Sequence, residues 1–230
     1  MPIIHDEEFG KITIRRSARA TQVRLRVAPD GTLRASLPLY APAFLVKRLI
    51  KSSRAELRDL LVQTRPIDAY SNGMRIGKSH TLIVQPTEGL FQTARRGQQL
   101  IVNLPSHKNL FDSDVIRSIR DMVIAALRIE AKSYLPKRLS FLANKYGFKF
   151  KKVRFSHASG RWGSCTSEGT ISLNIALMKL PFEQIDYVIF HELAHTRHMN
   201  HSPEFWQLVS MSDPDYKNHR RALKLEAPTI

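Results

Sequence analysis

Cysteine occurs once in the 230 residues, at position 165, so no internal disulfide can form and nothing points to an oxidising compartment. No apolar run approaches the roughly 20 residues of a membrane-spanning helix, and the opening MPIIHDEEFG carries acids where a secretory signal has a basic start. These absences lead to the expectation of a soluble, cytoplasmic protein with no membrane partner. The chain also lacks repeats, low-complexity segments and the pattern of an RNA-recognition or zinc-finger module. Acids are scarce: 20 Asp and Glu face 36 Lys and Arg, a net charge of +16. That balance favours nucleic acid or another polyanion as a partner. The cations are dispersed through IRRSARATQVRLRV, KRLIKSSRAELR, FKFKKVRF and KNHRRALK, so a generally solvated cationic surface and a dedicated nucleic-acid site both stay open.

Hydrophobic residues make up 43% of the chain, enough for one large domain or for a core with a smaller lobe. Residues 11–37 alternate in polarity, with Val23, Leu25 and Val27 on one side and Arg24 and Arg26 on the other, and PDG supplies a turn. This predicts an antiparallel hairpin region. Pro42 opens an expected helix through Leu49 and Leu57 to Leu60, Leu61 and about Gln63, and short strands are expected at 74–76, 80–84 and 100–104. From Asp112 to Tyr146 the apolar residues fall at helical spacing, with a kink expected near Pro136 and an end at Gly147. Strands follow at 153–156 and 170–174, joined by the polar loop SGRWGSCTSEG, then helices over Pro181 to about Met199 and Pro203 to Met211. The predicted fold is α+β. An N-terminal β-rich lobe with one helix covers residues 1–108, and an α+β lobe with a small antiparallel sheet covers residues 109–230.

The chemistry concentrates in VIFHELAHTRHMNHSPEFW, residues 188–206. Positions four apart on a helix lie on one face about 6 Å apart along the axis, so His191 and His195 can each point a nitrogen at one ion about 2.1 Å away. Glu192 lies about a hundred degrees round the helix, poorly placed to share the ion but able to reach a water beside it. A tetrahedral catalytic zinc needs a third protein ligand. His198 lies about 10 Å along the axis from His191, too far on a straight helix. His201 is the better candidate, provided that the helix breaks near Met199 and Asn200, with Asn taking a left-handed cap. Ser202 then serves as an N-cap, Pro203 as the first helical residue and Glu204 as an acid at the positive end.

The segments RWGSC, ISLN, LPFEQIDYVIFHELAH and NHSPEFW, followed by PDY, resemble the YgjP-like family of metal-dependent hydrolases, relatives of the SprT and WLM metallopeptidases. The resemblance is densest from Ser156 to Leu223. It implies a zincin-like metallopeptidase fold with one Zn2+ per chain, His191, His195 and His201 as ligands and Glu192 as general base. Arg161 and Trp162 lie in the loop ahead of the active helix, where they could bind substrate or staple a turn. Cys165 reads as a small buried hydrophobe. Phe205 and Trp206 are expected to pack the second helix on the first, and Tyr216 or His219 could stabilise an oxyanion. The leading expectation is a zinc peptidase acting on a peptide or protein. The alternatives are a metal hydrolase of a nucleotide or phosphorylated substrate and a nucleic-acid-associated protein with a structural metal. Glu192 speaks against the last, because a purely structural site gains little from a carboxylate beside a bound water.

Overall fold

The computed structural model describes residues 2–18, 20–27, 32–63 and 70–230, without the side chains of 60–63. The expected PDG turn at 29–31, the contribution of Leu60 and Leu61 and most of the RPIDAY break lie outside the described residues. Among the described residues, the mixture of small sheets and six α-helices is the expected α+β class. The chain divides into two compact units: Met1–Tyr70 with Lys108–Arg117, and Ser71–His107 with Ser118–Ile230.

In the first unit, β1 (Ile3–Asp6), β2 (Gly10–Ser17), β3 (Arg24–Val27) and β4 (Leu33–Pro38) form one sheet in the order β1-β2-β4-β3. Alternation sends Ile12, Ile14, Leu33, Ala35 and Leu37 to one face, where they are buried with Val46, Ile50 and Leu57 of α1 (Phe44–Ser52) and α2 (Arg54–Gln63). Within residues 11–37, β3 and β4 pair antiparallel as expected, but β4 inserts between β2 and β3 and pairs with β2 in parallel. The single helix expected from Pro42 is two. At Ser53 the backbone leaves helical geometry (φ −116°, ψ 25°), and the preceding Ser52 hydroxyl donates to Leu49 O.

In the second unit, β5 (Arg75–Ile76), β6 (His80–Thr87), β7 (Gln92–Arg96) and β8 (Gln99–Pro105) form a sheet in the order β5-β6-β8-β7. The long helix α3 (Ser113–Lys145), which belongs to this unit from Ser118 onward, runs without interruption through Pro136 and buries Ile119, Leu127, Leu135 and Leu139. Its Glu130 is buried and accepts four hydrogen bonds from the turn ahead of β6: from Lys78 N (2.7 Å), Ser79 N (2.8 Å), Ser79 Oγ (2.7 Å) and His80 Nδ1 (2.6 Å). Gly77, at φ +62°, leaves the carboxylate room, since any Cβ there would collide with it. This attachment explains why residues 71–107 cluster with the later chain, whereas the sequence suggested a boundary at 108.

The remaining strands, β9 (Lys152–Ser156), β10 (Gly163–Cys165) and β11 (Thr170–Asn174), lie in the order β10-β11-β9. This small sheet is mixed rather than antiparallel, because β9 and β11 run parallel while β10 turns back on β11. A 3-10 helix (Ile175–Lys179) leads to α4 (Phe182–Ala194), α5 (Pro203–Ser212) and α6 (Tyr216–Leu225), and α4 packs against β10, β11, α5 and α6. Among the described residues, no helix is long and apolar enough to cross a membrane.

Candidate metal centre

The helix that carries the site is apolar because most of its surface is core: Ile185, Val188, Ile189, Phe190, Leu193 and Ala194 are all buried. His191 occupies its last turn and His195 is its C-terminal cap. The helix stops well short of the expected Met199. Thr196 N and Arg197 N close tight three-residue turns on Leu193 O and Ala194 O, and the Thr196 hydroxyl donates to Leu193 O as well (2.7 Å). Asn200 takes no left-handed cap, since no described residue other than glycine has a positive φ. The chain then re-enters a helix at Pro203, as expected, although Ser202 makes no capping bond. Its hydroxyl engages Glu204 instead and holds that exposed carboxyl below the usual range.

This reversal brings His201 back to the pair. Its Nε2 lies 3.1 Å from Nε2 of His191, and one nitrogen from each of His191, His195 and His201 falls within 4.8 Å of the others. The His198 ring stays outside this group, but its carbonyl lies 3.0 Å from His195 Nδ1. A carbonyl only accepts, so Nδ1 carries the proton and Nε2 of His195 keeps its lone pair. Phe205, fully buried, has its ring centroid 4.9, 4.6 and 4.8 Å from those of His191, His195 and His201. Trp206 stacks on His201 at 5.4 Å, so both aromatics pack as their positions suggested. Burial first, then the neighbouring imidazoles, pushes His191 down to about 3; burial and His195 lower His201 too. Both shifts favour the uncharged imidazole, the form that binds metal.

Glu192 is buried, and burial lifts its carboxyl to about 8 against the opposing pull of Arg161. Its side chain lies against Gly163 of β10: a Cβ there would fall 2.6 Å from Oε1 and 2.8 Å from Cγ. Oε2 of Glu192 and Nδ1 of His191 are buried without a hydrogen-bond partner. Three convergent imidazoles with an unpartnered Glu192 oxygen beside them suit a borderline divalent ion, zinc above all, and do not suit calcium or magnesium, which take oxygen ligands.

Two cavities share Gly163, His191 and Glu192. One, of about 310 Å³, is also lined by Arg161, Ser164, Cys165, Met199, His195 and His201. The other, of about 250 Å³, is lined by Trp162, Tyr187, Val188, Arg220, Leu223 and Lys224. Arg161 and Trp162 thus each border the centre, on different sides. Their loop is held by Asn174, a buried residue whose side-chain amide donates to Ala158 O (2.8 Å) and Arg161 O (2.9 Å) while its oxygen accepts from Ala176 N (3.0 Å). Cys165 is half-buried at the cavity rim rather than in the core, its thiol pushed up to about 11 by burial and by Glu192. Tyr216 stacks on Trp206, and His219 Nδ1 pairs with Asp213 (2.8 Å); neither lines these two cavities. Tyr187 does, its ring 5.9 Å from that of His191 and its phenol pushed up to about 12 by burial. Gly163, Asn174 and Arg220 were missed from the sequence. Tyr187 carried a signal there, since it precedes His191 by one helical turn.

No curated protein matches the chain. Among solved structures, the crystal structure of the metallopeptidase zymogen of Pyrococcus abyssi abylysin is 26% identical, covers 41% of this chain and 98% of that one, and superposes with a TM-score of 0.36. The model of the YgjP-like metallopeptidase domain matches residues 21–226, nearly the whole length and all of the centre described above, and the chain belongs to that family.

Proposed function

We propose that the chain is a zinc-dependent peptidase in which His191, His195 and His201 hold one ion and Glu192 is the general base for cleavage of a peptide or amide bond. The observation that carries this reading is the convergence of three imidazole nitrogens beside a buried carboxyl group with an unpartnered oxygen. Zinc, when bound, supplies a Lewis acid that polarises a water and the scissile carbonyl. A bound cation would favour the ionised form of Glu192 over the uncharged form that burial selects without it, and the carboxylate would accept at Oε2 the proton of the attacking water and pass it to the leaving nitrogen as the C–N bond breaks. The His198 carbonyl keeps His195 in the ligating tautomer, and Phe205 excludes water from the back of the three rings. Arg161 and Trp162 border the cavities in which substrate would lie.

A second reading, hydrolysis of a nucleotide or other phosphorylated substrate, is favoured by one feature: Arg161 lines one cavity, and Arg220 and Lys224 line the other. One panel separates the two. Zinc-loaded protein is assayed on casein, end-blocked peptides and nucleoside triphosphates, each beside Glu192→Gln. The peptidase reading expects cleavage of casein or peptide, with turnover reduced about a hundredfold or more in the variant. Hydrolysis of triphosphates alone would favour the second reading. A peptidase rate unchanged by Glu192→Gln would refute the general-base role.

A further inference from the structure

The smaller of the two cavities, of about 250 Å³, is not needed to hold a metal. Of the three convergent histidines it reaches only His191, whereas the larger cavity is lined by all three. The two share Gly163, His191 and Glu192, so a group lying in the smaller one lies beside the bond on which Glu192 acts. One wall is α6, where Arg220 and Lys224 stand four residues apart and therefore on one face of the helix.

Both cations are exposed, and no carboxylate among the described residues forms an ion pair with either. Arg220 is nevertheless held in place. Its guanidinium lies 4.5 Å from the centre of the Trp206 ring, which stacks on His201 at 5.4 Å and on Tyr216 at 5.5 Å. Burial moves the titration of Tyr187, His191 and His201 most, and the charge of Arg220 contributes in all three. A positioned guanidinium next to the reacting bond is a receptor for an anionic group. We infer that this cavity is a specificity pocket for a carboxylate of the peptide substrate, carried by a residue beside the cleaved bond, with Arg220 as the group that binds it and Lys224 in support. The inference rests on the peptidase reading and adds to it a substrate class, acidic peptides.

Size and chemistry favour such a carboxylate over a nucleotide. Pockets for ligands of drug size enclose about 300–1,000 Å³, so about 250 Å³ suits one residue of a peptide better than a base, a sugar and phosphates together. Trp162, Val188 and Leu223 offer apolar wall to the carbon chain of that residue, and the planar guanidinium matches the two oxygens at its end. Phosphate sites draw on the free amides of a helix N-terminus, and no residue from the first turn of α4, α5 or α6 except the mid-helix neighbours of Arg220 comes near this lining: Tyr187, Val188, Arg220, Leu223 and Lys224 all lie later in their helices.

The test begins with dephosphorylated casein, digested by the zinc-loaded protein, with the cleaved bonds identified by mass spectrometry. Asp or Glu at one fixed position beside those bonds assigns the pocket to a side-chain carboxylate; cleavage confined to chain ends, and lost when a synthetic peptide is amidated there, assigns it to the terminal one. In a synthetic peptide built on a preferred site, replacing the carboxylate by its amide should lower kcat/KM about tenfold or more, the worth of a hydrogen bond to a charged group. Arg220→Gln should erase that ratio by slowing the acidic peptide, Arg220→Lys should keep part of it, and Arg220→Glu should turn the preference toward a peptide with lysine at the same position. Zinc content and circular dichroism are measured on each variant. If the Arg220 variants lose zinc or fold, Lys224→Gln, at the exposed end of α6, should lower the ratio about threefold. Cleavage without an acidic preference, a ratio unmoved by Arg220→Gln and Lys224→Gln, or cleavage that requires phosphorylated casein would overturn the proposal and leave the peptidase reading intact. Absence of cleavage of every peptide would overturn that reading and this proposal with it.

Discussion

Glu192 and Gly163 belong to different elements, and their contact shows how closely β10 approaches α4. A methyl group at position 163 would lie within 2.9 Å of three atoms of the Glu192 side chain, and because Glu192 is buried it cannot swing away freely. Gly163→Ala should therefore leave zinc bound through the three histidines and lower turnover about a hundredfold, the scale of a misplaced catalytic group. Metal analysis and a kinetic assay on the same preparation check this, and full activity in the variant would mean that Glu192 has room the geometry denies it. The His191–His195 spacing was legible in the sequence because helix geometry is local and periodic. Gly163 was not legible: glycine in a Gly/Ser-rich loop announces a turn, and only the tertiary fold says which side chain arrives beside it. Cys165, three residues past Trp162, was read as core for the same reason.

Among the elements, the fate of α4 shows where local rules compete. The apolar pattern suggested a helix to about Met199, but Thr196 turned its hydroxyl to Leu193 O and the chain tightened and left the helix after Ala194. The early stop still delivers His201, since the long turn and Pro203 reverse the chain over Phe205. The pairing of β2 with β4 was hidden because alternation fixes which face a residue takes and not which strand it meets. Glu130 is the corresponding long-range device in the second unit. Glu130→Ala would remove one acceptor from four donors, leaving Lys78 N, Ser79 N and the buried His80 Nδ1 without it. The expected loss is about 3 kcal/mol or more, read as a lowered midpoint in chemical denaturation. A midpoint unchanged by the substitution would show that the turn at Gly77 is held by other contacts.

For the whole molecule, the two groups that burial perturbs most set opposite pH limits on the metal-free protein. His191 falls from an ordinary 6.5 to about 3, so its contribution is present above pH 6.5 and is lost as pH falls from there toward 3. Glu192 rises from 4.5 to about 8, so its contribution is present below pH 4.5 and is lost as pH climbs toward 8. Between 4.5 and 6.5 the two slopes cancel; stability should fall on either side, and Glu192→Gln should remove the fall between 6.5 and 8. Thermal melts of chelator-treated protein across that range check the sign; a wild-type curve that rises from 6.5 to 8 would contradict the burial of an uncompensated carboxyl. The +16 charge was plain from composition, whereas which cations share one sheet face depends on strand order and could not be read along the chain. The central claim is the three-histidine zinc site, and the measurement that tests it most directly is elemental analysis of protein purified without chelator. The account predicts about one zinc per chain in the wild type and in His198→Ala, whose metal-site contact is a backbone carbonyl, and little in His201→Ala or in the His191→Ala, His195→Ala double variant. Zinc retained at full stoichiometry by the double variant, or lost from His198→Ala and kept by His201→Ala, would contradict it.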